Sequence, residues 1–106
     1  MSFLAVDTSL TVVFDGNMSI GWQAFGRGQQ SYWATLSGAA YVPQQTRITV
    51  LDPNTVLVVK SGTATATPIH GPPQRGGFVQ TMLWQRRPEG WRVVHAHEST
   101  RPDSTR

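Results

Sequence analysis

One stretch, Phe78–Pro102, reading FVQTMLWQRRPEGWRVVHAHESTRP, constrains this chain more than any other. Both of its halves are rich in β-branched and aromatic residues, the types that favour a pleated, half-buried surface. Between them, Arg87-Pro88-Glu89-Gly90 supplies turn chemistry: proline presets one turn dihedral and glycine is free to take a positive φ. The stretch predicts two strands, Phe78 to Arg87 and Trp91 to Ser99, joined by a tight turn. It also holds two tryptophans, two histidines and four arginines, so any account of function must explain it.

Side chains alternate across a strand, which allows the two faces to be written out. On the first strand, Phe78, Gln80, Met82, Trp84 and Arg86 oppose Val79, Thr81, Leu83, Gln85 and Arg87. On the second, Trp91, Val93, His95, His97 and Ser99 oppose Arg92, Val94, Ala96 and Glu98. A sheet wetted on one side alternates sharply between apolar and polar, and neither face here is cleanly polar. Both faces therefore need cover. The chain offers one helix, so a second copy is the simplest source of the other cover. The expectation is a homo-oligomer, a dimer packed through the sheet.

The remaining elements follow in order. Leu10 to Phe14 reads as a short strand stopped by the turn cluster Asp15-Gly16-Asn17. Ile20, Phe25, Tyr32, Trp33 and Leu36 recur near helical spacing, predicting a helix from Trp22 to Leu36 that Ser37-Gly38 ends. Thr46 to Leu51 is a strand, and Asp52-Pro53-Asn54 suits a type I turn. Thr55 to Thr67 is a long strand in which Gly62 marks a bulge or bend. Pro68 to Gly76 reads as a loop, and the tail after Pro102 as polar and mobile. The pattern is a single domain over residues 1–106, of α+β class: a short strand and a helix, then an antiparallel meander of at least four strands.

Composition narrows the function classes. The sequence is 39% hydrophobic and 14% charged, as in a globular domain. It has no cysteine, which removes disulfides, thiolate nucleophiles and cysteine metal sites. No apolar run is long enough to span a bilayer, and the first residues lack the pattern of a secretory signal, so a cytoplasmic location is the expectation and a membrane is not. The net charge of +3 comes from scattered arginines, with neither a basic helix nor a repeated basic-aromatic pattern; nucleic acid is not an expected partner.

Three groups of residues can carry chemistry. His95 and His97 point the same way on a strand and could share a ligand, but a metal needs a third donor and only His70 remains. The plainer reading gives His95, His97 and Ser99 hydrogen bonds within the sheet or at a subunit interface, and no metal or cofactor is expected. Glu98 lies on the opposite face; on a concave face it would be a shielded carboxylate able to act as a general acid or base, and otherwise an exposed or arginine-paired glutamate. Trp33, Trp84 and Trp91 either line a pocket or fill the core.

The segment from Thr81 to Pro102 resembles the end of SnoaL-like domains of the nuclear transport factor 2-like superfamily, and is most similar to the association (hub) domain of calcium/calmodulin-dependent protein kinase II. The matching residues are Thr81, Trp84, Arg86, Arg87, Gly90, Trp91, Val94, His95, His97, Ser99 and Pro102, supported by Gly21 through Trp33 and by Leu51-Asp52-Pro53. The resemblance implies a cone: a strongly curved antiparallel sheet wrapped against helices, with a pocket inside. Members include isomerases, hydrolases, cyclases, ligand-binding proteins and assembly modules, so fold alone does not assign an activity. The hub's pocket tryptophan corresponds to Trp33, whereas its pocket arginines correspond to Met82 and Glu98, which implies a more apolar pocket with one acid. The family's long first helix would be represented only by its final turn, Phe3 to Val6. An open cone would expose Phe78, Met82, Trp84 and Val94, each worth about 1.5–3 kcal/mol when buried, which again calls for a covering partner.

The first functional expectation is thus a small-molecule-binding cone, taking a small apolar ligand in a pocket formed by Trp33, Met82, Trp84, Val94 and Glu98. The alternatives are a hub-like self-association module without chemistry, and a small isomerase or hydrolase using Glu98 as acid/base with His95 or His97 assisting.

Overall fold

The computed structural model describes residues 4–5 and 9–103. Phe3, Val6 and the tail beyond Asp103 lie outside that range. Leu4 and Ala5, expected in a last helical turn, instead lie alongside the final strand: Leu4 bridges Val93 in parallel, and the Ala5 N–H donates to the Val93 carbonyl at 3.0 Å.

The elements run β1 (Thr11–Phe14), β2 (Asn17–Ile20), α1 (Trp22–Trp33), β3 (Leu36–Asp52), β4 (Thr55–Pro68), β5 (Gln74–Arg87) and β6 (Gly90–Pro102). They form one helix and a curved six-stranded sheet in the order β2-β1-β6-β5-β4-β3. β3 to β6 make the expected antiparallel meander, but the sheet as a whole is mixed, because β1 runs parallel to β6.

The turns are where their residues demand them. Asp15 and Gly16 both take positive φ, 46° and 88°, the signature of a two-residue type I′ hairpin. Asn17 is therefore not part of the turn but begins β2, a strand too polar to stand out in the sequence. At the β3–β4 turn the Asp52 carboxylate accepts the Asn54 N–H at 2.7 Å. At the β5–β6 turn Arg87 pairs with Gly90, whose φ is 117°.

Two boundaries differ from expectation. The helix stops at Trp33 rather than Leu36, because Thr35 donates both its N–H (3.0 Å) and its hydroxyl (2.7 Å) to the Tyr32 carbonyl. The chain then enters β3 at Leu36, so Ser37-Gly38 lies inside a strand, and β3 begins ten residues before the predicted Thr46. Proline is tolerated at position 43 because β3 is an edge strand with a ladder on one side only, and a register shift sits beside it. β5 likewise starts at Gln74, shortening the predicted loop.

The hairpin's faces also need correction. Leu83 pairs with His95 but Trp84 pairs with Val93, leaving Val94 as an extra residue in β6. A bulge of one residue reverses the alternation on one side of it. Val93 consequently shares a face with Trp84, Met82, Ala96 and Glu98, rather than with His95 and His97. Val93 is buried, and with Leu4, Ala5, Leu10 and Val12 forms the core, against which Trp22, Phe25, Met82, Trp84, Val94 and Ala96 pack.

The sheet's curvature can be judged from one hydrogen bond. The Tyr41 hydroxyl on β3 donates to Glu98 on β6 at 2.7 Å, across β4 and β5. Three strand spacings in a flat sheet would separate those backbones by about 14 Å, with side chains standing upright. Only a sheet curled into a trough brings them together. Glycine makes the curl possible: a Cβ on Gly62 would run into the Val42 carbonyl oxygen, and one on Gly76 into that of Arg101.

Candidate functional site

A cavity of about 760 Å³ opens at the end of the trough where α1 finishes. Its walls come from the β1–β2 hairpin tip, the end of α1, and the ends of β3 to β6 nearest the β4–β5 loop. Aromatic residues supply the character: Phe14, Tyr32 and Trp33 on one side and Tyr41 on the other. Phe14 and Tyr32 have ring centroids 6.4 Å apart, and Tyr32 and Trp33 meet edge to face at 6.0 Å. Across the trough, Tyr41 packs edge to face on Phe78 at 5.0 Å. Ala39, Ala64, Ala66 and Gly76 leave the space between the rings empty.

Behind Tyr41 lies the most shielded charged group of the described residues. Glu98 is 8% exposed. One of its oxygens accepts the Tyr41 hydroxyl at 2.7 Å, and the other accepts the Gln80 amide at 3.1 Å. Burial pushes its pKa up, the two donors pull it down, and the nearby Asp15 charge adds to the rise; the net direction is upward. The Tyr41 phenol is likewise raised well above its ordinary value, by burial first and then by its bond to Glu98, so it stays a neutral donor at working pH.

Asp15 does more than turn the chain. Its carboxylate accepts the Thr100 N–H at 2.9 Å and the Thr100 hydroxyl at 2.7 Å, pinning the end of β6 to the hairpin tip. It also lines the cavity, so the site combines aromatic rings with a carboxylate at its rim.

The structure separates the residues that the sequence grouped. Trp33 lines the cavity. Glu98 sits one residue deep, with Tyr41 between it and the space. Met82, Trp84 and Val94 share the concave wall but pack against the core cluster. His95, His97 and Ser99 face the other way, opposite Leu83, Thr81 and Val79. His70 is exposed in the β4–β5 loop, and among the described residues no group of three histidine or acidic side chains could hold a metal. Reading the sequence missed Tyr41 and Gln80. The signal for Gln80 was present, since it falls on the Glu98 face once the hairpin register is known; Tyr41 carried none, because its segment does not read as a strand.

The raised Glu98 pKa has a measurable consequence. The folded state prefers the protonated form, so this group's stabilising contribution is complete below the ordinary carboxylate value of 4.5 and is lost as pH rises through the raised one. Glu98→Gln keeps the shape and does not titrate. Its melting temperature relative to the parent should rise between pH 4 and pH 8; a constant or falling difference would contradict the burial argument.

A single helix curled into a mixed, strongly bent sheet with a cavity at one end defines the nuclear transport factor 2-like α+β cone. The SnoaL-like domain model matches residues 1–103, and the chain belongs to that family. Solved structures agree on the fold. A nuclear transport factor 2-like protein from Salmonella enterica superposes with a TM-score of 0.83 at 21% identity, over 98% of this chain and 75% of that one. A Xanthomonas campestris protein named as a calcium/calmodulin-dependent protein kinase II association domain gives 0.80 at 14% identity, covering 97% and 72%. A Novosphingobium aromaticivorans protein named as a scytalone dehydratase gives 0.81 at 12% identity, covering 94% and 67%. No curated protein matches the chain significantly. No helix among the described residues is long and apolar enough to cross a membrane.

Proposed function

We propose that this chain is a small-molecule-binding cone domain whose ligand occupies the aromatic cavity, with Trp33 on its wall, Glu98 behind Tyr41, and Met82, Trp84 and Val94 forming the apolar support of the trough. The observation that carries this reading is the cavity itself: about 760 Å³ walled by aromatic and alanine side chains and not filled by them. That volume and lining fit a small, largely apolar molecule. Titration with small aromatic probes, followed by tryptophan fluorescence and calorimetry, is the test. Saturable binding that Trp33→Ala weakens about tenfold is expected, on the basis that a stacked aromatic wall contributes on the order of 1 kcal/mol or more. A folded protein that binds none of the probes would end this reading.

A homodimer through the outer face of the sheet is the companion proposal. That face carries Leu57, Val59, Val79 and Leu83 among threonines and serines, alongside His95, His97 and Ser99. Val79 is 46% exposed, and no carboxylate occupies these central registers. A β-branched surface of this kind suits an isologous contact. Light scattering should return twice the chain mass. A monomer at micromolar concentration would count against it.

A further inference from the structure

The polar atoms at this cavity are not neutral as to what they can bind. Tyr41 has one hydroxyl proton and gives it to Glu98 at 2.7 Å, so toward the cavity its oxygen offers only lone pairs. Thr100 spends its hydroxyl proton on Asp15, whose carboxylate can only accept. Behind Tyr41, and outside the cavity wall, the Gln80 amide is also turned to Glu98. Every polar side chain here with a fixed partner thus presents acceptors, and a bound molecule must bring the donors.

Arg75 and Arg101 also line the cavity, and would favour an anion if their side chains entered it. The register argues otherwise. Tyr41, Ala64, Gly76 and Pro102 are successive partners on the cavity face, and the Tyr41–Phe78 ring contact fixes which face that is. Thr65 pairs with Arg75 and Gly77 with Arg101, each one position off, with no register shift in these pairings. Alternation sends both guanidinium groups from the outer face. The remaining donors, the Tyr32 hydroxyl, the Trp33 indole and the Gln74 amide, carry no charge to hold an anion.

On the reading that this cavity is a ligand site, we propose that it selects a small organic ammonium ion on an apolar body, with Tyr41 and Asp15 accepting its N–H groups and the rings of Phe14, Tyr32 and Trp33 surrounding its charge. Rings within about 6 Å of a cation attract it through their electron-rich faces, the more so when water is excluded. The chain's overall charge of +3 does not oppose this, because exposed charges beyond about 10 Å are screened at 0.1 M salt.

The test uses the intact protein at pH 8 and three probes with one phenyl-alkyl body: phenethylammonium, phenethyl alcohol and 3-phenylpropionate. Calorimetry should show the ammonium binding about tenfold more tightly than the alcohol, and the carboxylate more weakly than either. Asp15→Asn removes the charge while keeping an acceptor for Thr100 and a residue that tolerates positive φ. It should cut ammonium affinity about tenfold and leave the alcohol unchanged. Tyr41→Phe should weaken the ammonium and the alcohol together. Carboxylate binding equal to or tighter than ammonium would overturn the ligand class and leave the cavity reading standing, with the arginines turned inward. Equal binding of ammonium and alcohol would reduce the site to an apolar one, and binding of none of the three would remove both readings.

Discussion

Gly62→Ala should lower the melting temperature by on the order of 10–20 °C, while Gly77→Ala changes it little. Both glycines lie in the same pair of strands, and in both the substitution adds one methyl group. At Gly62 that methyl meets the Val42 carbonyl oxygen and the backbone of Pro43 and Gln44; at Gly77 its nearest neighbour is 3.8 Å away. Overpacking against backbone costs about 1–3 kcal/mol, and each kcal/mol moves a domain of this size by roughly 4–8 °C. Because Gly62 sets how closely β3 approaches β4, its substitution should also flatten the trough and separate Tyr41 from Glu98. Equal thermal effects at the two positions would show that the curl does not depend on the close approach.

Leu10→Ala is the second large effect expected. Leu10 is fully buried, and its carbonyl accepts the Gly21 N–H at 2.7 Å, so it joins the packing of the core to the start of α1. Removing a buried leucine side chain costs about 2–5 kcal/mol, depending on how far the site collapses. The cost should fall near the upper end here, because among the described residues the buried cluster has four other members, Leu4, Ala5, Val12 and Val93. Ile48→Ala provides the contrast: Ile48 is 65% exposed on β3 and should cost under 1 kcal/mol by chemical denaturation. Should the two cost the same, the core is not where the burial pattern puts it.

Much of the architecture could be read from residue order, and the exceptions have physical causes. The β5–β6 hairpin was legible because Pro88, Glu89 and Gly90 mark a turn between two strongly β-forming runs. Its faces were legible only as far as Val94, where a bulge without glycine or any other local marker reverses the alternation. The first half of β3 was illegible because Ser37, Gly38, Pro43 and Gln44 are poor strand formers; an edge strand pairs on one side and tolerates them. That one gap hid Tyr41, since a residue without a strand has no face. Glu98 was visible by alternation, but its shielding depends on a partner three strands away, and such curvature leaves no periodic trace in a sequence. The cavity was hidden for the same reason: Phe14, Tyr32 and Tyr41 come from three elements whose meeting depends on the bend.

The parallel pairing of β1 with β6 ties Thr11 to His95 and Phe14 to Glu98, residues from opposite ends of the chain. During synthesis, α1 and β3 to β5 would emerge before the strand that completes the core against Leu10 and Val12. The meander can form early from neighbouring hairpins, but it would wait, with its concave wall open, for β6. Contacts of such long sequence separation slow folding, and half-built sheets with open edges invite pairing with the wrong chain. The residues that finish the site are thus the last of its parts to be made, so the hazard of misassembly lasts until β6 is in place beside β1.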